Sequence, residues 1–70
     1  MKEYLTIFIN GEAFNCCNEM SLEEVLIYFD FNLQNIVIEY NKEIIVKDKL
    51  SATFLLNNDK VEVITIVGGG

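Results

Sequence analysis

The fold is decided by residues 4–17, which read YLTIFINGEAFNCC. Residues 4–9 place side chains alternately on two faces and are rich in β-branched and aromatic types, as in a strand. Asn10-Gly11 follows at once and is the strongest hairpin signal in the sequence, because a type I′ turn needs positive φ at both central residues. Residues 12–17 are therefore expected to return as an antiparallel strand.

A well-marked helix start follows the hairpin. Ser21 and Glu24 fit a capping box, in which the serine caps the helix and the glutamate reaches back to the serine amide. Apolar side chains then repeat at the spacing of one helical face: Leu22, Val25, Leu26 and Phe29. Asn32 tolerates the left-handed conformation that ends many helices, so the helix is predicted to stop near residues 30–32.

The second half of the chain reads mainly as short strands. Residues 36–40 are β-branched and extended, and a turn at Asn41-Lys42 separates them from a short apolar strand at 44–46. The remaining segments are an irregular stretch with a short helical turn at 47–53, a brief apolar piece at 54–56, a turn at 57–59 and a last strand at 61–67.

This order of elements predicts an α+β fold. A single helix cannot cover both faces of a mixed sheet of four or five strands, so it is expected to pack on one face only. The long connection between the first and last strands allows them to lie side by side and parallel in the middle of the sheet. Such an arrangement is the β-grasp fold.

The last strand is expected to divide its side chains between the two faces of the sheet. Val61 and Val63 would face the helix, and Ile64 and Ile66 would face outward with Phe8 of the first strand. We predict that Phe8, Ile64 and Ile66 form a docking patch for a partner beside the chain end. The alternative is a scatter of single exposed apolar residues, which is common on protein surfaces.

The final residues are three glycines that end in a free α-carboxylate, Gly68-Gly69-Gly70. Glycines pack nothing and weaken regular structure, but a backbone without Cβ atoms can enter a channel too narrow for other residues. Three residues span roughly 10 Å, enough to carry the carboxylate into a neighbour's active site. We therefore divide the chain into a domain at 1–67 and a flexible tail at 68–70, the alternative being a frayed end or a cloning remnant.

Charge and length exclude several functional classes. The net charge of −6 disfavours nucleic acid and anionic membranes as partners. No apolar run approaches the ~20 residues that cross a bilayer, and the N-terminus lacks a signal-peptide pattern. A single small domain with 51% hydrophobic residues is expected to be a soluble, cytoplasmic protein that needs no disulfide or metal to fold.

The sequence predicts no catalytic site and no metal site. It contains no histidine, so neither a cysteine–histidine nucleophile nor a mixed-ligand zinc site can be assembled. Cys16 and Cys17 are adjacent, too close for ordinary disulfide geometry, and in a strand they point to opposite faces. One buried and one exposed free thiol are expected, with Cys16 and Phe14 on the inner face.

Taken together, these segments resemble the ThiS family of sulfur carriers in thiamin biosynthesis, which are ubiquitin-like β-grasp proteins. The resemblance covers nearly the whole chain and includes Ile9-Asn10-Gly11, SLEEVL at 21–26, IVIEYNKEII at 36–45, NDKVEVI at 58–64 and VGGG at 67–70. The terminal glycine pair, Gly69 and Gly70, is the specific motif among these. Gly68 falls where members carry another small residue.

The resemblance implies a function for the chain end. In the family, a ThiF-type activating enzyme uses ATP and magnesium to adenylate the last glycine, here Gly70. A persulfide sulfur donor then converts the adenylate to a thiocarboxylate, and thiazole synthase (ThiG) takes the sulfur. Gly68 and Gly69 would let the tail enter both partner sites. The chain is thus expected to be a co-substrate without a bound cofactor, in the cytoplasm or in the plastid stroma if plastid-encoded.

Three other functions stay open on the sequence. The small subunit of molybdopterin synthase shares the fold and the tail, although such chains are usually longer and often carry a proline before the glycines. A ubiquitin-type modifier would join the same carboxylate to a lysine of a target. A plain β-grasp interaction domain would have an idle tail.

Overall fold

The computed structural model describes residues 4–17 and 19–66. They form five strands, one α-helix and two short 3-10 helices. In chain order these are β1 (Tyr4–Ile9), β2 (Glu12–Cys17), α1 (Leu22–Tyr28), a 3-10 helix (Leu33–Asn35), β3 (Ile36–Tyr40), β4 (Glu43–Ile45), a second 3-10 helix (Lys47–Ala52) and β5 (Lys60–Thr65).

The strands form one mixed sheet in the order β2-β1-β5-β3-β4. Strands β1 and β5 are parallel, and every other neighbouring pair is antiparallel. The helix packs on one face and leaves the other open. The sheet thus has five strands with the first and last side by side, so the predicted β-grasp fold is confirmed.

The turn between β1 and β2 also joins the hairpin to β5. Asn10 and Gly11 have φ values of 51° and 85°, as the type I′ turn requires. The Asn10 amide donates to the Val61 carbonyl at 2.9 Å, and the Asn10 side-chain oxygen accepts from the Val63 amide at 2.7 Å. The asparagine therefore closes the hairpin and extends the contact with β5 beyond the end of β1.

The helix begins as predicted and ends earlier than predicted. Ser21 Oγ accepts from the Glu24 amide at 3.1 Å, and Glu24 Oε1 accepts from the Ser21 amide at 2.9 Å, which confirms the capping box. The helix ends at Tyr28, and Asp30, not Asn32, takes the left-handed conformation, with φ 68°. The Asp30 and Phe31 amides bond back to the last turn as in a Schellman motif, which stops the helix there.

The core lies between α1 and the inner face of the sheet. Its fully buried side chains are Ile7, Leu22, Val25, Leu26, Leu50, Leu55 and Val61. Val63 packs against this cluster, so the predicted inward direction of Val61 and Val63 is confirmed. In the part of the chain that the structure describes, no helix is long and apolar enough to cross a membrane.

Candidate functional site

The end of β5 is held in the middle of the sheet. The Ile66 amide, one residue beyond the strand, donates to the Asn35 carbonyl at 2.7 Å and keeps the chain paired with the segment before β3. β5 lies between β1 and β3 in the strand order, so the chain leaves the sheet from its central strand. Gly68, Gly69 and Gly70 lie outside the described residues, and the division of the chain at residue 67 stays a prediction.

Exposed apolar side chains surround this exit on the open face of the sheet. Ile64 is 48% exposed and lies directly opposite Val37 of β3. Val46 is 60% exposed and comes directly after β4. Because Ile38 of β3 pairs with Ile45 of β4, the next position places Val46 opposite Val37. Ile66, two residues after Ile64 and so on the same face, is also exposed. We call Val37, Val46, Ile64 and Ile66 the apolar patch.

The structure does not bring Phe8 next to the other two predicted patch residues. Phe8 shares their face and is half-buried, but its partner in β5 is Lys60, at the beginning of that strand. Ile64 comes four residues later, about 13 Å further along at 3.3 Å per residue. Instead, Val37 and Val46 accompany Ile64. The alternation of side chains in residues 36–40 could have indicated Val37, since it places Val37 on the outward face with Glu39.

Two neighbouring carboxylates border the apolar patch. Glu62 of β5 lies directly opposite Glu39 of β3, and Glu39 lies opposite Ile44 of β4. Glu62 is exposed and Glu39 is half-buried. The open face therefore presents apolar surface beside paired negative charges, a combination that suits a partner with an apolar surface and a nearby cationic side chain.

A buried carboxylate fixes the beginning of β5. Asp59 is 7% exposed and accepts hydrogen bonds from the Tyr40 hydroxyl, from Asn41 Nδ2 at 3.1 Å and from the Leu56 amide at 2.7 Å. Burial, the hydrogen bond to Asp59 and its charge raise the pKa of Tyr40 to about 12. All three donors belong to the β3–β4 hairpin or to the turn before β5, so this group has a structural role.

The two cysteines lie at the other end of the sheet. Cys17 pairs with Tyr4 at the beginning of β1, far from the end of β5. Cys16 is buried, and its burial, together with the neighbouring Cys17, raises the pKa of the Cys16 thiol. Cys16 is therefore a core side chain, not an activated nucleophile. Among residues 4–17 and 19–66, no three histidine, cysteine or acidic side chains are grouped so that they could hold a metal ion.

Comparisons with known proteins cover most of the chain. The model of the ThiS family matches residues 7–70. An uncharacterized protein ycf40 of Porphyra purpurea is 47% identical over 66 residues, which cover 94% of this chain and 93% of the relative. A protein described as thiazole synthase of Magnetococcus marinus is 30% identical over 66 residues, 94% of this chain but only 20% of that protein.

A solved structure has the same fold. The crystal structure of a thiamine biosynthesis protein (ThiS) from Geobacter metallireducens superposes with a TM-score of 0.81 and covers 94% of this chain and 100% of that protein. The two sequences are 22% identical, so this likeness concerns the fold.

Proposed function

Because this chain belongs to the ThiS family of sulfur carriers in thiamin biosynthesis, we propose that its terminal carboxylate is converted to a thiocarboxylate that donates sulfur for thiazole formation. A ThiF-type enzyme would use ATP and magnesium to adenylate Gly70. The terminal sulfur of a persulfide donor would then displace AMP and form an acyl disulfide. A thiol would cleave its S–S bond, which leaves the thiocarboxylate and a disulfide on the donor. The chain itself is a co-substrate and not an enzyme.

The chemistry explains why activation is needed. An α-carboxylate has a pKa near 3.5 and is ionised at neutral pH, so sulfur does not attack it. Adenylation converts the carboxylate to an acyl-phosphate anhydride, in which the carbonyl carbon can be attacked and AMP is the leaving group. Gly68 and Gly69, which carry no side chains, let the carboxylate reach a recessed site. The observation that carries the proposal is the family match through Gly70, which includes the residues this chemistry needs.

The thiazole synthase of Magnetococcus marinus supports thiazole synthase as the receiving partner. The matched segment is only 20% of that protein, so a sequence like this chain is one part of a larger polypeptide. Joining a carrier to the enzyme it serves raises their effective concentration without a new contact.

The apolar patch is the proposed docking surface for the activating enzyme. It surrounds the point where β5 ends, so a partner that covers Ile64 and Ile66 is also positioned to receive the tail. Glu39 and Glu62 would add attraction to a cationic group on that partner. Phe8 shares the face but lies outside the patch, about 13 Å from Ile64 along the strands, and would contribute less than Ile64.

The similarity to ycf40 proteins suggests where the protein works. Those relatives are encoded in plastid genomes, and one of them matches 94% of this chain. We propose that the carrier acts in the plastid stroma, where its activating enzyme and thiazole synthase would also be found. Fractionation of plastids with an antibody to the chain would test this location.

The decisive experiment measures the intact mass of the chain. The chain is incubated with a ThiF-type enzyme, ATP, magnesium and a persulfide donor, and a mass change equal to one oxygen replaced by one sulfur is expected at Gly70. A chain whose terminus is blocked as an amide is the control and should not change. An unmodified chain, or a chain joined to lysines of other proteins in cells, would contradict the proposal and favour an idle domain or a ubiquitin-type modifier.

A further inference from the structure

A groove lies between β2 and α1, on the opposite side of the sheet from the apolar patch. Two depressions of about 180 and 210 Å³ lie along it. Phe29 lines both, and its ring lies 4.7 Å from that of Phe14 between them. Binding sites for small molecules usually have 300–1,000 Å³, so each depression has room for a side chain and not for a cofactor.

Among residues 4–17 and 19–66, no other strand pairs with the outer edge of the strand beside this groove, which we call its free edge. Strand β2 is the outermost strand, and the two-residue turn makes Ile9 and Glu12 the hydrogen-bonded pair that closes the hairpin. By alternation, the backbone groups of Ala13, Asn15 and Cys17 then point away from β1. The Cys17 carbonyl accepts from the Met20 amide, which leaves Ala13 and Asn15 as the centre of the free edge.

This edge lacks the usual protection against pairing with another strand. Natural edge strands are short, or carry lysines, prolines or inward charges that discourage pairing. The other edge strand, β4, follows this rule, because it has only three residues and the nearby chain carries Lys42 and Lys47. Strand β2 has six residues, EAFNCC, and its only charge is Glu12 at one end.

The charge of this region indicates the partner. Residues 12–30 contain five carboxylates and no lysine or arginine, so they carry −5 of the net charge of −6. The five are Glu12, Glu19, Glu23, Glu24 and Asp30. Two copies of the chain that met here would bring these charges together, and the repulsion disfavours a dimer through β2. A positively charged segment would be attracted.

We propose that the groove between β2 and α1 binds an extended, basic segment of a partner protein, which adds a strand to the free edge of β2. Backbone groups of the segment pair with Ala13 and Asn15. Alternate side chains face the groove. One depression lies beside Cys16 and the other beside Glu12, which is four residues away along β2. Two apolar side chains at positions i and i+4 of the bound segment therefore fill them. A small residue at i+2 covers Phe14 and Phe29.

This surface is separate from the tail and from the apolar patch, so the proposal goes beyond sulfur transfer. The groove lies along the outermost strand, whereas the tail leaves from the middle of the sheet. A partner could therefore hold the carrier by β2 while another protein acts on Gly70.

The test is a titration of the isotope-labelled chain with a synthetic seven-residue peptide, followed by NMR. The peptide has valine, alanine and valine at positions 2, 4 and 6 and lysine elsewhere. Saturable shifts are expected at amides of β2 and α1, with slower hydrogen exchange at Ala13 and Asn15. A peptide with proline at positions 4 and 5, one of whose amides faces β2 in either strand direction, and one with glutamate for lysine should each bind at least about tenfold more weakly. Equal binding of either control peptide would overturn the proposal.

Two exposed side chains provide matched variants. Tyr28 is 74% exposed and lines the groove, and Ile44 is 69% exposed on the other face of the sheet. Tyr28→Ala should weaken peptide binding by about fivefold or more, and Ile44→Ala by less than about twofold. The reverse order, or shifts confined to the apolar patch, would place the binding site elsewhere. Tyr28→Ala, which lies away from the apolar patch, should still accept sulfur.

Sedimentation of the chain alone tests whether β2 pairs with a second copy of the chain and not with a basic segment of another protein. If β2 binds a second copy, the chain forms dimers at high concentration, and Asn15→Lys, which places a cation on the edge, separates them. That outcome would overturn the proposal. A chain that stays monomeric, with peptide binding that Asn15→Lys weakens about fivefold or more, would support it.

Discussion

Glu39 of β3 and Glu62 of β5 lie directly opposite each other on the open face of the sheet. Like charges in that position destabilise a pair of antiparallel strands. The pair borders the apolar patch beside the exit of β5, where a cation of a bound partner would relieve the repulsion. The strain of the free chain thus favours the bound state.

We predict that Glu62→Gln stabilises the isolated protein and slows its activation. Removal of one charge should raise the free energy of unfolding by about 0.2–1 kcal/mol, as measured by urea titration at low salt. The same variant should lose several-fold in kcat/KM for adenylation. Glu43→Gln, at an exposed position on the edge of the sheet, is the control and should change neither quantity. Faster activation of Glu62→Gln would contradict the proposed role.

The apolar patch predicts a second effect on activation. Ile64→Ala removes exposed apolar surface next to the exit of β5, so kcat/KM for adenylation should fall about five- to tenfold with little loss of stability. Ile27→Ala, on the exposed face of α1, is the matched control, since Ile27 is 58% exposed. Phe8→Ala should cost less activity than Ile64→Ala because the register separates Phe8 from the patch. Equal effects at Ile27 and Ile64 would place the docking surface elsewhere.

The terminal glycines predict a loss of function without a loss of fold. Gly69→Ala and Gly70→Ala add a Cβ atom where the tail is proposed to enter narrow partner sites. The thermal unfolding midpoint should stay unchanged, since both positions lie beyond β5. Thiocarboxylate formation, measured by intact mass, should be blocked. Normal sulfur acceptance by either variant would show that the partner sites do not require glycine.

Local features could be predicted because they depend on neighbouring residues. The capping box of Ser21 and Glu24 involves two amides and two side chains within one turn, so four letters suffice to recognise it. The turn at Asn10-Gly11 depends on positive φ at two adjacent residues. The end of the helix is not determined by local sequence alone, because both Asp30 and Asn32 tolerate the left-handed conformation and the bonds of the last turn select Asp30.

Features that depend on distant residues could not be read from the sequence. The offset between β1 and β5, which pairs Phe8 with Lys60, is set by the hydrogen bonds of Asn10 and of the turn before β5. Asp59 reads as an ordinary turn residue. Its burial becomes evident only when Tyr40, nineteen positions earlier, lies beside it.

The capping box predicts a measurable loss of stability. Ser21→Ala removes the oxygen that accepts from the Glu24 amide, and Ser21 is buried, so water cannot fully replace it. The free energy of unfolding should fall by about 1 kcal/mol. Ser51→Ala removes a hydroxyl from an exposed position in the second 3-10 helix and should change the stability little. An equal loss in both variants would mean that the cap contributes nothing.

The hydrogen bond from Tyr40 to Asp59 predicts how stability depends on alkaline pH. The folded state raises the pKa of Tyr40 to about 12, above the ordinary value of 10.0, and therefore favours the protonated phenol. This contribution is complete below about pH 10 and is lost as the pH rises towards about 12. Tyr40→Phe should destabilise the protein by about 1–3 kcal/mol at neutral pH, because Asp59 stays buried with one donor fewer.

The same variant should also reduce the slope of stability between about pH 10 and 12. Urea titrations of the parent chain and Tyr40→Phe across this range measure the slope directly. Tyr28→Phe, at a tyrosine that is 74% exposed, is the control for loss of a phenol hydroxyl and should keep the parent slope. If Tyr40→Phe keeps the full slope as well, the alkaline loss of stability has another origin, and the bond to Asp59 does not hold the beginning of β5.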